Sequence, residues 1–323
     1  MNHQKIDRVR KTNSALKDSL KSCSICPRKC HVNRTIGKTG YCRASYNPII
    51  YSYAPHHGEE PPLSGRRGSG TIFFSHCNMK CVYCQNYRFS QLDEGEEVSV
   101  KELAGVMLRL QESKCHNINL VTPTHYVPQI LTSLEIALES GLNIPIVYNT
   151  SGYELVDTIK LLDGIVDIYL PDMRYSDNFM AKKYSDAAGY VEHNRSAVRE
   201  MYSQVGNLVF DASGIAVNGL IIRLLVLPNN ASGTTETLKY IRYNISENTY
   251  LSIMSQYYPA FKARNYKEIS RSVSVEEYKN VVDCAHLLGL NNGWIQDSPE
   301  KLDPRFRGTN IKPKAMDDGK EIG

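Results

Sequence analysis

Long apolar runs and blocks of like charge are absent from this 323-residue sequence. No stretch approaches the roughly 18 consecutive apolar residues of a membrane helix, and the opening MNHQKIDRVRKTNSALKDSL lacks the apolar core of a secretory signal. We therefore expect a cytoplasmic location and no membrane partner. Lysine and arginine total 38 against 34 acidic residues, with no long basic run, so nucleic acid is not an expected partner.

Cysteine is what the sequence has in excess, with nine residues in a chain expected in the cytoplasm. Two clusters account for most of them. One has the spacing C-x2-C-x3-C-x11-C and the other CxxxCxxC, and their members are Cys23, Cys26, Cys30 and Cys42, then Cys77, Cys81 and Cys84. Such clusters favour metal ligation over disulfides. The isolated Cys115 and Cys284 are interpreted as small buried hydrophobes.

Six apolar, β-branched or aromatic runs alternate with longer segments of helical periodicity. The predicted strands are 71–77, 117–122, 144–150, 166–172, 219–228 and 250–259. The clearest predicted helices are 99–113, which begins with a Ser99 and Glu102 capping box, and 127–141 and 274–289, which each end on a glycine. This alternation predicts an α/β fold, a parallel sheet wound into a partial (β/α)6 TIM-like barrel.

Two regions fall outside this alternation. Residues 1–70 are predicted as an N-terminal Cys-rich metal-binding segment and loop, and 71–297 as the barrel with its C-terminal helix. Residues 298–323 form a polar tail, expected to be extended or disordered.

The CxxxCxxC loop supplies three thiolates, one fewer than a closed site needs. A structural zinc site takes four ligands, as does a [4Fe–4S] cube with every iron capped by protein. Three leave one iron open to an outside ligand. The loop directly follows the first predicted strand, so it would lie at the carboxyl mouth of the barrel, where such folds place their chemistry. The alternative is a zinc site or a fortuitous cluster.

CxxxCxxC with an aromatic residue, here Tyr83, before its last cysteine resembles the defining motif of the radical S-adenosylmethionine (SAM) superfamily. Over residues 71–260 the chain also resembles the radical SAM proteins related to pyruvate formate-lyase-activating enzyme. The stretches that precede this region, CSICPRKCHVNR, GKTGYC and GEEPPLSG, indicate an uncharacterised branch of that group. The resemblance implies a [4Fe–4S] cluster on Cys77, Cys81 and Cys84. It also implies reductive cleavage of SAM to a 5′-deoxyadenosyl radical, hydrogen abstraction from a substrate, and an electron donor such as flavodoxin or ferredoxin.

The resemblance also suggests SAM contacts at the ends of strands two and three. Where the family has Gly-Gly-Glu, this chain has NLVTPTH, so the hydroxyls of Thr122 and Thr124 and the strand-end carbonyls are candidates for the SAM ammonium. YNTSGY is similar to Asp-Thr-Asn-Gly of the activating enzymes, with Asn149 in place of the aspartate and Thr150 retained.

Strands four, five and six carry further candidates. LPDMRY resembles Asp-x-Lys, so Asp172 would meet the SAM ribose and Arg174 its carboxylate. Arg223 matches an arginine of the activating enzymes, although pairing with a barrel carboxylate explains it equally well. Tyr257 and Tyr258 are candidates for the adenine, with packing at the barrel rim as the alternative. The loop residues His56, His57, Glu59 and Glu60 fit either a substrate mouth or surface polarity.

Three interpretations of function follow. As a radical SAM enzyme, the protein would abstract hydrogen from a glycine of a glycyl-radical protein, or would modify a small molecule or peptide directly. The other class is a non-catalytic metalloprotein. The four-cysteine group suits zinc or a second [4Fe–4S] cluster, with His31 as a neighbour of that group.

Overall fold

The computed structural model describes residues 2–16 and 18–296, and the predicted tail at 298–323 lies outside them. The strands of the described chain are β1 (Ile49–His56), β2 (Ser69–Phe74), β3 (Glu96–Glu97), β4 (Ile118–Val121), β5 (Ile146–Thr150), β6 (Ile168–Pro171), β7 (Val209–Phe210), β8 (Ala216–Leu225), β9 (Tyr250–Met254) and β10 (Gly293–Ile295).

Helices occupy the intervals between the strands. They are α1 (Asn2–Leu16), α2 (Pro61–Ser64), α3 (Tyr87–Gln91), α4 (Val100–Glu112), α5 (Val127–Glu139), α6 (Val156–Lys160), α7 (Asn178–Ser185), α8 (Tyr190–Val205), α9 (Thr234–Asn244) and α10 (Val275–Leu287). No helix among the described residues is both long and apolar enough to cross a bilayer.

The sheet has the order β10-β9-β8-β6-β5-β4-β2-β1-β3, with β7 paired to β8. β2, β4, β5, β6, β8 and β9 are the six predicted strands, and each pairs with the next in parallel. β10 adds a parallel strand beyond β9, whereas β1 lies antiparallel beside β2 and pairs with β3 on its other side. Because β10 and β3, the two edge strands of the described sheet, do not pair with each other, the sheet is the partial barrel that the sequence predicts.

Successive side chains along each strand point alternately toward the surrounding helices and toward the barrel interior. In β5, Tyr148 packs in the large apolar core with the helices, whereas Val147 packs in a smaller interior cluster. β4, β5 and β6 are buried over their whole length, as expected for parallel strands covered on both faces. Side chains on the Val147 side of the sheet therefore face the barrel interior.

The predicted capping box is present at the start of α4, and the structure has a second one at the start of α10. The Ser99 hydroxyl accepts from the Glu102 N–H, and the Glu102 carboxylate accepts from the Ser99 N–H. Ser274 and Glu277 repeat this arrangement before α10. Both pairs satisfy backbone donors that the first helical turn leaves free, which fixes where these helices begin.

α2 closes the interior at the amino-terminal end of the barrel. Leu63 of α2 is fully buried and packs with Val147 and Ile168 in the interior cluster. The Asn117 side-chain amide, just before β4, donates to the Leu63 carbonyl at 2.9 Å. The GEEPPLSG segment therefore forms the floor of the barrel.

The segment before β1 packs on the barrel through a few strong contacts. The buried Arg34 guanidinium donates to the Ser45 carbonyl at 3.0 Å and to the His125 carbonyl at 2.7 Å. The Thr158 hydroxyl donates to the Ile25 carbonyl at 2.8 Å. These bonds hold the Cys-rich segment against the carboxyl ends of β4 and β5. The division at residues 70 and 297 stays a prediction.

Candidate active site

The loop after β2 carries Cys77, Cys81 and Cys84, and its backbone is anchored along its length. The N–H groups of Lys80 and Val82 donate to carbonyls at the end of α7, at 3.0 and 2.8 Å. The Gln91 side chain donates to the Cys81 carbonyl at 2.9 Å. A loop whose buried backbone groups are paired in this way holds its side chains in fixed positions.

Cys81 is buried, and Cys77 and Cys84 are half-buried. Burial, followed by the nearby Cys81, raises the pKa of Cys77 to about 12, and the same causes raise the pKa of Cys84 to about 11. The Arg174 guanidinium opposes both shifts, and its Nη1 lies 4.0 Å from Cys81 Sγ. The thiols of Cys77 and Cys84 are thus neutral, and a metal cluster bound there would displace their protons.

Tyr83, the aromatic residue of the motif, belongs to a chain of hydrogen bonds that ends at a cysteine. Its hydroxyl lies 2.6 Å from the Tyr175 hydroxyl, which is 2.7 Å from Ser185 Oγ. Ser185 donates to Cys81 Sγ at 3.0 Å. A donor to a thiolate sulfur stabilises its negative charge. Tyr257 packs edge-on against Tyr83 with 5.7 Å between ring centroids.

Asp172 joins two arginines within the barrel interior. Its Oδ1 accepts from Arg223 Nε at 2.8 Å, and its Oδ2 accepts from Arg174. Arg223 Nη2 also donates to Asn149 Oδ1 at 2.7 Å. The strand ends of β5, β6 and β8 therefore bring together four of the predicted site residues. Pairing of Arg223 with a barrel carboxylate, the alternative interpretation, is also present.

Gly152, in the YNTSGY stretch, permits close packing at the end of β6. Its φ is +74°, and an added Cβ would lie 2.4 Å from the Asp172 carbonyl oxygen. Asn194 of α8 donates to that same carbonyl at 2.9 Å. A larger residue at position 152 would displace the backbone that carries Asp172.

The hydroxyls of Thr124 and Thr150 are hydrogen-bonded on the face of the sheet that packs against the helices. Both hydroxyls donate to Glu154 Oε1, the first at 2.6 Å. Tyr148, which packs with the helices, also lies 3.4 Å from this oxygen. These two hydroxyls therefore point away from the Asn149 side of the sheet. Thr122 adopts φ +60°, and its N–H donates to the Asn149 carbonyl at 2.8 Å.

Glu154 is a buried carboxyl that sequence reasoning missed. It is completely buried, and its Oε2 has no hydrogen-bond partner among the described residues. Burial raises its pKa to about 7. A single glutamate after a glycine-containing turn gives no pattern that could indicate this position. Tyr175 and Ser185 were missed for the same reason, because only the fold brings them to Cys81.

The second cysteine group surrounds one small cavity. Cys23, Cys26, Cys30 and Cys42 line it together with Arg34 and His125. His125 Nε2 lies 2.8 Å from the Ser75 carbonyl, so it carries the proton, and Nδ1 has no partner among the described residues. His31 contacts Ser22 at the surface instead.

No three His, Cys, Asp or Glu side chains within 2–16 and 18–296 gather closely enough to hold a single metal ion. A single zinc draws its ligands to about 2.3 Å from one centre, whereas each cysteine of a [4Fe–4S] cube caps a different iron. The buried thiols of the CxxxCxxC loop, near a cation and a hydroxyl donor, suit such a cube.

The fold and this loop define a class of protein, an α/β barrel with a cysteine cluster at the carboxyl ends of its strands. The sequence model of the radical SAM superfamily matches residues 71–202. The chain is 30% identical over 288 residues to the uncharacterized protein MJ0674 of Methanocaldococcus jannaschii. The aligned region covers 85% of this chain and 77% of that protein. The chain therefore belongs to the radical SAM superfamily.

Two solved structures are similar in fold at low sequence identity. TYW1 with a lysine-pyruvate adduct bound is 15% identical, with a TM-score of 0.42 over 71% of this chain and 77% of that one. HydG, a maturase of the [FeFe]-hydrogenase, is 12% identical, with a TM-score of 0.45 over 68% of this chain and 48% of that one. Membership of the superfamily makes the protein an enzyme that uses SAM and a [4Fe–4S] cluster.

The raised pKa of Glu154 predicts a specific dependence of stability on pH. Because the carboxyl titrates near pH 4.3 when unfolded and near 7 when folded, its contribution is complete below about pH 4 and is lost as the pH rises through 7. Glu154→Gln should match the wild type near pH 4 and exceed its unfolding free energy by on the order of 3 kcal/mol at pH 8. Urea unfolding across this range measures the difference.

Glu276→Gln, at an exposed position of α10, is the control and should follow the wild-type profile. If Glu154→Gln and the wild type lost stability in parallel between pH 4 and 8, the carboxyl would have an ordinary pKa.

Proposed function

We propose that Cys77, Cys81 and Cys84 hold the [4Fe–4S] cluster and leave one iron for SAM. The observation that carries this assignment is the anchored three-cysteine loop at the carboxyl ends of the parallel strands, with Arg174 beside Cys81. When bound, the cluster supplies the electron that cleaves SAM to a 5′-deoxyadenosyl radical. The protein is then a hydrogen-abstracting radical SAM enzyme.

The interior ion pairs would orient SAM next to the cluster. Arg174 lies between Cys81 and Asp172, so its guanidinium is in reach of a carboxylate bound at the open iron. Asp172, fixed by both arginines, would accept a hydrogen bond from the ribose. Asn149 is held on the same side by Arg223. Thr122 remains a candidate at the end of β4, whereas the occupied hydroxyls of Thr124 and Thr150 support a role in holding the strand ends.

Aromatic packing would limit access of water and stray hydrogen donors to the radical. Tyr83, Tyr175, Tyr184 and Tyr257 are all buried, and they form one apolar cluster with the buried Cys81. A site that excludes other hydrogen donors protects a reactive intermediate until the substrate reacts. The Tyr257 hydroxyl donates to the Ile269 carbonyl at 2.6 Å, which supports a packing role for this residue.

Two substrate classes remain within this function. Direct modification of a small molecule or peptide is the candidate that we favour, because two buried polar atoms of the barrel interior, Glu60 Oε2 and Arg174 Nε, have no hydrogen-bond partner within the described chain. Activation of a glycyl-radical protein stays a prediction, which a doublet EPR signal on such a partner would test. Radical SAM enzymes need an electron donor, and flavodoxin or ferredoxin is proposed here. The cytoplasmic location also stays a prediction.

We further propose that Cys23, Cys26, Cys30 and Cys42 bind one zinc ion or a second [4Fe–4S] cluster. The shared cavity and the neutral, unpartnered Nδ1 of His125 support this. Burial raises the pKa of Cys26 to about 12 and also raises that of Cys42. Because metal binding releases the protons of its thiol ligands, thiols that line one cavity fit a site that deprotonates when a metal binds.

Replacing Cys77, Cys81 and Cys84 together by alanine should abolish formation of 5′-deoxyadenosine from SAM. The reason is that no other group would hold the cluster whose open iron binds SAM. The assay uses anaerobically reconstituted protein with dithionite. Cys284→Ala, at a half-buried lone cysteine, is the control and should keep full activity. SAM cleavage by the triple variant would refute the assignment.

Asp172→Asn should weaken SAM binding while the iron content stays normal. Loss of a charge-assisted hydrogen bond costs about 1.5–3 kcal/mol, which is roughly a 10- to 150-fold loss of affinity. Titration of the cluster EPR signal with SAM measures this. The control is Asp157→Asn, at a side chain that is 87% exposed. Unchanged affinity would assign Asp172 a structural role.

The Cys77, Cys81 and Cys84 triple-alanine protein should retain about one zinc or about four irons per chain, because the other four thiols form a separate site. Metal analysis after anaerobic reconstitution distinguishes the two. Adding Cys26→Ala to this protein should remove the residual metal. A folded triple variant with neither metal would exclude the second site.

A further inference from the structure

The barrel interior contains two acidic side chains that the proposed function does not use. Glu59 and Glu60, here called the acidic pair, lie between β1 and the floor helix α2. Glu59 Oε2 is 3.8 Å from Arg223 Nη1, which fixes its direction toward the interior. The neighbouring Glu60 is buried as well, and its charge is among those that raise the pKa of Arg223.

The arginines near the acidic pair are too few to neutralise the carboxylates of the barrel interior. Glu60 is only 8% exposed, and its Oε2 has no hydrogen-bond partner among the described residues. Arg223 is already bonded to Asp172 and Asn149, and Arg174 is bonded to Asp172. Three carboxylates therefore face two guanidinium groups. Burial, followed by the Glu60 carboxylate, raises the pKa of Glu59 to about 7, as expected for adjacent acids without a cation of their own.

The acidic pair lies at a different depth from the cysteine loop. A series of contacts runs from Cys81 to Arg174, to Asp172, to Arg223 and only then to Glu59. The side chains of Arg174 and Arg223 retain 23% and 18% exposure, so both guanidinium groups remain accessible to solvent. A molecule that reached Glu60 would pass the cluster and extend toward the floor at Leu63.

We propose that the acidic pair binds an ammonium group of the hydrogen-donor substrate, an inference that rests on the proposed radical function. Two carboxylates at the deep end of the interior can accept the three N–H donors of an ammonium. A divalent cation is a poorer fit because it needs six or more oxygen ligands, and no third such side chain completes a metal group within the described residues. The ammonium would anchor the substrate so that its neighbouring carbons lie toward SAM.

The test uses n-butylammonium as the probe and its neutral isostere 1-butanol. Binding to the reconstituted full-length protein with SAM present is measured by saturation-transfer difference NMR. The wild type should bind n-butylammonium more tightly than 1-butanol. Glu60→Gln should lower the affinity for the ammonium at least tenfold and leave that for the alcohol unchanged. Glu276→Gln, which is exposed on α10, should behave as wild type.

Glu60→Gln keeps the size of the side chain and removes an unpartnered buried charge, so it should fold, and its unfolding temperature is measured alongside. Glu59→Gln is the second variant and should also weaken ammonium binding. Equal binding of the ammonium to wild type and Glu60→Gln would overturn the inference. So would a loss of SAM affinity in Glu60→Gln, measured by EPR titration, because the pair would then serve the SAM amino group.

A separate measurement, formation of 5′-deoxyadenosine, tests the proposed radical function. If wild-type protein formed no 5′-deoxyadenosine, that function would be wrong even where n-butylammonium binding followed Glu60. If 5′-deoxyadenosine formed normally but n-butylammonium binding ignored Glu60, the assignment of the acidic pair would be wrong and the radical function would stand.

Discussion

The arrangement of the barrel interior depends on the carboxylate of Asp172. A buried charge is costly unless it is paired, and Asp172 is 4% exposed with both oxygens bound by arginines. Through Arg174 this carboxylate reaches the cysteine loop, and through Arg223 it reaches Asn149. One anion at the end of β6 therefore helps to set the positions of two guanidinium groups and one side-chain amide on three neighbouring strands.

The two faces of the sheet divide the polar residues of the strand ends. On the interior face, Asn149 joins the ion pairs, while one residue later Thr150 points outward to Glu154. The period of two along a strand makes this division unavoidable, since adjacent side chains face opposite sides. The missing Gly-Gly-Glu carboxylate is thus not replaced by Glu154, which lies behind the sheet. The acidic groups of the interior are Asp172 and the acidic pair of the floor segment, of which Glu59 lies 3.8 Å from Arg223.

The sequence was sufficient for the repeating part of the fold. Six strands and the capped helices follow from periodicity, and the cysteine motif follows from spacing, because these signals are local. β1 was not predicted, since IIYSYAPH lies within residues 1–70, which were assigned to the Cys-rich segment and loop. Glu154 was beyond reach for another reason, and for the acidic pair the sequence left a substrate mouth and surface polarity as equal alternatives. The environments of these glutamates are created by residues distant in sequence, such as Thr124 and Arg223, so no local pattern indicates their burial.

The Cys-rich segment and the cysteine loop are mechanically linked. Between α1 and β1 the described chain has only a short 3-10 helix, Arg34–Ile36, so this segment has little regular structure to order it. Arg28 from this segment donates to the Asn78 carbonyl at 2.9 Å, inside the CxxxCxxC loop, and stacks 3.6 Å above the Tyr41 ring. Burial, followed by the nearby Arg43, lowers the pKa of Lys80, a residue inside the CxxxCxxC loop, and Cys77 and Cys42 both oppose the shift. Because metal binding and folding are coupled in segments of this kind, a metal bound by the first cysteine group, as proposed above, would also stiffen the loop that carries the second.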